Sequence, residues 1–115
     1  MSRRYCVTTE PEILIFSTAS TCVEAESLGK LLVDNRLVAC VNIIPRLTSI
    51  FLWEGSTVTE DETLLLMKST LERFDDVEKL IKEHHSYSIP EIIAIPILKG
   101  SREYLSWIHK VTNEM

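Results

Sequence analysis

Four short β-prone segments, Ile13–Phe16, Val38–Val41, Leu64–Met67 and Ile92–Ile95, are apolar at every position. Successive side chains of a strand point to opposite faces of its sheet, so each segment is apolar on both. An antiparallel sheet backed by helices on one side should instead alternate apolar and polar residues. A second cover is therefore required, and a chain of 115 residues has little left over to supply it.

The helices lie between these segments. Thr21 and Glu24 stand as a capping box. Cys22, Ala25, Leu28, Gly29, Leu32 and Val33 then mark one helical face, with Asn35 as a left-handed stop. Val38 to Trp53 reads as a long strand bent by Pro45, Glu54-Gly55-Ser56 as a turn, and Thr57 to Lys68 as the hairpin partner. Ser69 and Glu72 form a second capping box before a helix whose face is Phe74, Val77, Leu80, Ile81 and His84. Ile89-Pro90 ends that helix, and Ile92 to Leu98 is a fourth strand interrupted by Pro96. Gly100-Ser101 opens a short last helix with Tyr104, Leu105, Trp107 and Ile108.

The order βαββαβ plus a helix is the ferredoxin-like α+β sandwich. Its antiparallel sheet order, 4-1-3-2, puts the second and fourth strands at the edges. Those are the strands with Pro45 and Pro96, and edges are where proline is tolerated. The expected division is a loose tail over residues 1–11 and one domain over 12–115. The last helix is too small to cover a whole sheet face, so further copies of the chain are the economical cover. A larger intramolecular cover is the alternative.

Composition removes several functions. The net charge is −5, so no basic field holds a nucleic-acid backbone or an anionic membrane. An RNA-recognition sheet needs aromatic residues on its third strand, and Thr63–Lys68 has none. The longest apolar run, Ile92 to Leu98, is too short to cross a bilayer. Met1–Tyr5 is basic, but no apolar region follows it as in a secretory signal. Cys6, Cys22 and Cys40 are odd in number and match no zinc or disulfide spacing, which points to a reducing, cytoplasmic setting. No phosphate-binding glycine loop or nucleophile elbow is present, so the chain is not read as an enzyme.

Five segments, in order, carry a family resemblance. Val38-Ala39-Cys40-Val41-Asn42-Ile43-Ile44-Pro45 resembles the A-C-V-N-x-x-P segment of the CutA divalent cation tolerance family. Ser49–Gly55 resembles its aromatic-W-x-G hairpin, and Leu66-Met67-Lys68-Ser69-Thr70 its hydrophobic-K-[ST]-[ST] segment. His84–Ile92 resembles its H-P-Y-x-x-P-E-I segment, and Tyr104–Ile108 its Y-L-x-W ending. Ser86 departs from the family's proline and is expected to loosen the entry to Tyr87. The resemblance spans about residues 12–110. It implies a homotrimer with packed sheets, kinship in shape to PII signalling trimers, binding of copper or another divalent cation, and no established enzymatic activity.

Three residues are candidate metal ligands. Cys40 offers a soft thiolate suited to Cu(I), or it packs as a small buried apolar group. His84 and His85 offer imidazoles, or His84 extends the apolar stripe and both complement the helix dipole. Lys68, Tyr87 and Glu91 are polar groups beside apolar strands. With Asn42, Trp53 and Trp107 they are expected to line a ligand cleft between subunits. Alternatively, Lys68 and Glu91 form an interfacial ion pair and Tyr87 is a packed anchor. Three functions compete: metal handling, PII-like signalling through a cleft ligand, and a structural trimer.

Overall fold

The computed structural model describes residues 11–113. The tail expected over residues 1–11 lies, apart from Pro11, outside them. Among the described residues the order is β1 (Glu12–Ala19), α1 (Cys22–Asp34), β2 (Cys40–Trp53), β3 (Ser56–Thr70), α2 (Phe74–His84), β4 (Ile93–Pro96) and α3 (Arg102–Asn113). The sheet order is β2-β3-β1-β4, with every pair antiparallel. This is the ferredoxin-like order 4-1-3-2 read from the other edge, and the two proline-bearing strands are the edges. No helix of the described residues is long and apolar enough to cross a membrane.

One face of the sheet makes the core. Ile13 and Ile15 of β1 and Leu65 and Met67 of β3 alternate onto it, and all four are buried. Ala25, Leu28 and Leu32 of α1 and Val77 and Ile81 of α2 close over them. Gly29 lets α1 approach β2, because a Cβ there would sit 3.4 Å from a Val41 methyl.

The helix ends differ from expectation in physically clear ways. Thr21 does cap α1, accepting the Glu24 amide at 3.1 Å. The α1 stop is a Schellman turn, and its left-handed residue is Arg36 (φ 60°), one position after Asn35. Arg36 N–H donates to Val33 and Leu37 N–H to Leu32, satisfying the last carbonyls. Ser69 is not an N-cap. It is still inside β3, and its buried hydroxyl donates to the Leu37 carbonyl at 2.6 Å. A 3₁₀ turn over Leu71–Arg73 leads into α2 with no side-chain cap. The α2 apolar stripe stops at Ile81, leaving His84 exposed and His85 turned inward.

The β2–β3 hairpin extends well past the sheet and gives the molecule its 55 Å length. Pro45 and Arg46 form a bulge between Ile44 and Leu47, with Arg46 at φ 66°. An edge bulge absorbs the missing proline N–H. Glu54 and Gly55, at φ 50° and 83°, make the two-residue turn whose twist suits a hairpin.

The other sheet face carries Leu14, Phe16, Leu64, Leu66, Ile44, Ile93 and Ile95. α3 sits over its Glu12–Lys68 end, with Ile108 buried and His109 Nε2 2.6 Å from Glu12. The rest of this face is open: Ile44, Ile93 and Ile95 are 44%, 54% and 48% exposed.

Candidate functional site

The expected site residues fall into two groups at opposite ends of the open face. At the α3 end, Cys40 and Lys68 are register partners and Asn42 lies two residues on, on the same side. The Lys68 ammonium donates to the Asn42 side-chain carbonyl and stands 4.0 Å from Cys40 Sγ. Tyr104 lies close by. Burial pushes its phenol pKa up, and Cys40 adds to the shift. The Trp107 ring packs on Tyr104 with centroids 5.4 Å apart.

At the far end, the loop after α2 crosses the sheet and is latched in three places. The His85 side chain is fully buried. Its Nε2 is 2.8 Å from the Thr18 carbonyl, and its Nδ1 accepts the Tyr87 amide at 2.9 Å. One nitrogen must donate and the other accept, so these bonds specify a neutral ring protonated on Nε2. Glu24 accepts from the Ser86 amide at 2.8 Å and the Ser86 hydroxyl at 3.0 Å. Ser86 therefore ties the loop down; it does not loosen it. Burial raises the Glu24 pKa, but the hydrogen bonds from Ser86 and Ser20 act against it, and the carboxyl lies below its ordinary value.

The third latch is the Tyr87 hydroxyl, which donates to Glu62 at 2.8 Å. Burial, that hydrogen bond and the charges of Glu62, Glu60 and Glu24 push the Tyr87 pKa up to about 12. Between loop and hairpin lies a cleft of about 820 Å³. Its walls include Phe51, Trp53, Glu60, Glu62, Tyr87 and Glu91. Alternation explains the hairpin wall, since Ser49 pairs with Glu60 and Phe51 with Val58 on one side of the ribbon.

Trp53, Tyr87 and Glu91 are thus brought together, whereas Asn42, Lys68 and Trp107 belong to the α3 end. Lys68 is engaged with Asn42, and no Lys68–Glu91 ion pair exists within the chain among the described residues. The metal candidates are dispersed within one protomer. Cys40 lies in the row of Leu14 and His85 at Thr18, four residues along β1 and roughly 13 Å away. Both His85 nitrogens are occupied, and His84 is exposed at the α2 end. No group of three or more His, Cys, Asp or Glu placed to hold one ion occurs among the described residues. Glu60, Glu62 and Phe51 were not anticipated. Their signal was the period-2 spacing of 60 and 62 on a hairpin strand, which puts both carboxylates on one side.

Comparison with known proteins gives one consistent relationship. Residues 13–111 match the family described as "CutA1 divalent ion tolerance protein". The chain is 45% identical over 101 residues to a divalent-cation tolerance protein CutA of Thermus thermophilus, covering 88% of this chain and 97% of that one. It is 36% identical over 107 residues to a chloroplastic CutA 1 of Oryza sativa, covering 93% of this chain and 60% of that protein. Among solved structures, the Thermus thermophilus Cut A1 protein superposes with a TM-score of 0.87 at 43% identity, covering 89% of this chain and 99% of that one. A periplasmic divalent cation tolerance protein CutA from Archaeoglobus fulgidus gives 0.86 at 39% identity, covering 89% and 99%.

Proposed function

The chain belongs to the CutA1 divalent ion tolerance family, and on that premise we propose that it works as a homotrimer in the response to divalent cations. The observation that supports a trimer most is the open sheet face. Its apolar residues lie on all four strands, with Ile44, Ile93 and Ile95 about half exposed, and packing equivalent faces of three copies together would cover them at once. Light scattering after size exclusion tests this. Three copies of 13.2 kDa should give about 39.6 kDa, and a 13.2 kDa species would refute it.

Copper or another divalent cation is the proposed ligand of this role, through the Cys40 thiol or the exposed His84 imidazole. Assembly would supply the remaining donors, because the described residues of one protomer do not gather them. Copper titration of the wild type against Cys40→Ala and His84→Ala decides it, and unchanged binding in both would sink the proposal. His85 is expected to act in loop latching, its nitrogens being used. The cytoplasmic assignment rests on the thiols of Cys22 and Cys40. Relatives are named as chloroplastic or periplasmic, so the compartment varies across the family.

A second reading is favoured by the convergence of Trp53, Tyr87 and Glu91. In it, the cleft holds a small ligand whose binding the trimer signals to a partner, as a PII-like protein would. An apolar cleft with a few polar groups is the usual form of a small-molecule site.

A further inference from the structure

Resting on the cleft reading, we infer that the cleft ligand is a small organic cation, an amine carried as ammonium, seated against Trp53 and Tyr87 and neutralised by Glu60, Glu62 and Glu91.

The charge balance of the walls is one-sided. Among the described residues of one protomer, the cleft is lined by three carboxylates and by no Lys, Arg or His. Glu62 is only 7% exposed. One of its oxygens accepts the Tyr87 hydroxyl, and no cationic side chain among the described residues lies within ion-pair distance of it. A bound ammonium would donate to the second Glu62 oxygen, which accepts no hydrogen bond among the described residues. The upward shift of the Tyr87 phenol reports the same field, because the charges of Glu62 and Glu60 oppose its ionisation.

The remaining walls select the kind of cation. Phe51, Trp53 and Tyr87 present aromatic rings, and an ammonium over an aromatic face is attracted by the ring quadrupole. A metal ion would need its donors within one coordination sphere, and the carboxylates form no such group. An amine with a carbon skeleton instead spans separated carboxylates and fills a volume far larger than one ion. Anionic ligands such as nucleotides face like-charge repulsion from three sides.

Spermidine and adenosine monophosphate serve as cationic and anionic probes of the assembled protein. Binding is followed by Trp53 fluorescence in a Trp107→Phe background and by melting temperature. Spermidine should bind saturably and raise the melting temperature. Binding should weaken at least ten-fold in Glu62→Gln and in Glu91→Gln, and should be unchanged in Glu83→Gln on α2. Glu91→Gln keeps the test valid if Glu62→Gln fails to fold. Equal spermidine binding in all variants would mean only attraction to a net charge of −5, and would overturn the inference. Binding of adenosine monophosphate, with spermidine inert, would overturn the cation inference while keeping the cleft as a ligand site. Silence from Trp53 with both probes would overturn the inference and the cleft reading together.

Discussion

The two faces of the sheet are cut from the same strands, residue by residue, yet they have opposite fates. Ile13, Ile15, Leu65 and Met67 point one way and are buried under α1 and α2. Leu14, Phe16, Leu64 and Leu66 point the other way, and beside them Ile93 and Ile95 are about half exposed. Apolarity is therefore a property of the strand, whereas burial belongs to whatever packs on it. A chain that makes both faces apolar but encloses one leaves the other in need of a second cover.

The largest expected effect breaks the covered side. Ile81 is fully buried in α2 against the sheet. Ile81→Ala should cost about 2–5 kcal/mol, the range for truncating a large aliphatic core residue. The loss, read from chemical denaturation, should come from the protomer's own core. A cost under about 1 kcal/mol would mean the α2 contact is loose.

A smaller effect tests how the covered side is tied at its margin. Ser69→Ala removes the donor to the Leu37 carbonyl and leaves that acceptor without its partner. About 1–3 kcal/mol should be lost, by the same measurement. Ser69→Thr keeps the hydroxyl and should recover part of it unless the added methyl is rejected.

The open side should respond in the opposite manner. Ile93→Glu with Ile95→Glu places two charges where a neighbouring copy would pack. The protomer's secondary structure should persist, because neither side chain contributes to the core, but the mass should fall from about 39.6 kDa toward 13.2 kDa. The melting temperature should also become independent of concentration. Persistence of the larger species would place the subunit contact elsewhere, on the hairpin arm or an edge strand.

These contrasts also mark what the sequence makes legible. Strand order followed from the element order and from Pro45 and Pro96, because proline cannot donate inside a sheet. The apolar second face is visible in Leu64-Leu65-Leu66-Met67 because side chains alternate across a strand. The failures are tertiary. Ser69-x-x-Glu72 has the spacing of a capping box, but β3 runs on through it, and the Leu37 carbonyl claims the hydroxyl. His84 and His85 are adjacent in sequence, yet α2 ends between them, so one faces solvent and the other turns in toward Thr18. Lys68 and Tyr87 share only their polarity and their place beside apolar segments in the sequence. Register then separates them, because Lys68 pairs near the Glu12 end of β1 and Tyr87 reaches Glu62 at the other. The period-2 spacing of Glu60 and Glu62 shows only that both carboxylates share one side of the hairpin. The importance of Glu62 depends on a tyrosine 25 positions later closing over it.

The smallest effect concerns the crossing from the covered face to the cleft, where Glu24 holds Ser86 and Tyr87 holds Glu62. The two latches titrate in opposite senses. The Glu24 carboxyl lies below its ordinary 4.5, so its stabilisation is complete above that pH and is lost as pH falls through the folded value. Tyr87 is raised from 10.0 to about 12, so its stabilisation is complete below pH 10 and is lost as pH climbs toward 12. The melting-temperature gap between wild type and Glu24→Gln should therefore shrink on acidification below about pH 4.5 and stay constant in alkali. The gap between wild type and Tyr87→Phe should do the reverse. Both groups are only partly buried, so solvent still screens their interactions, and each gap should amount to only a few degrees. A Glu24→Gln gap that is the same at every pH would mean that Ser86 is held by shape alone. The crossing loop would then answer to packing on the covered face and not to charge at the cleft.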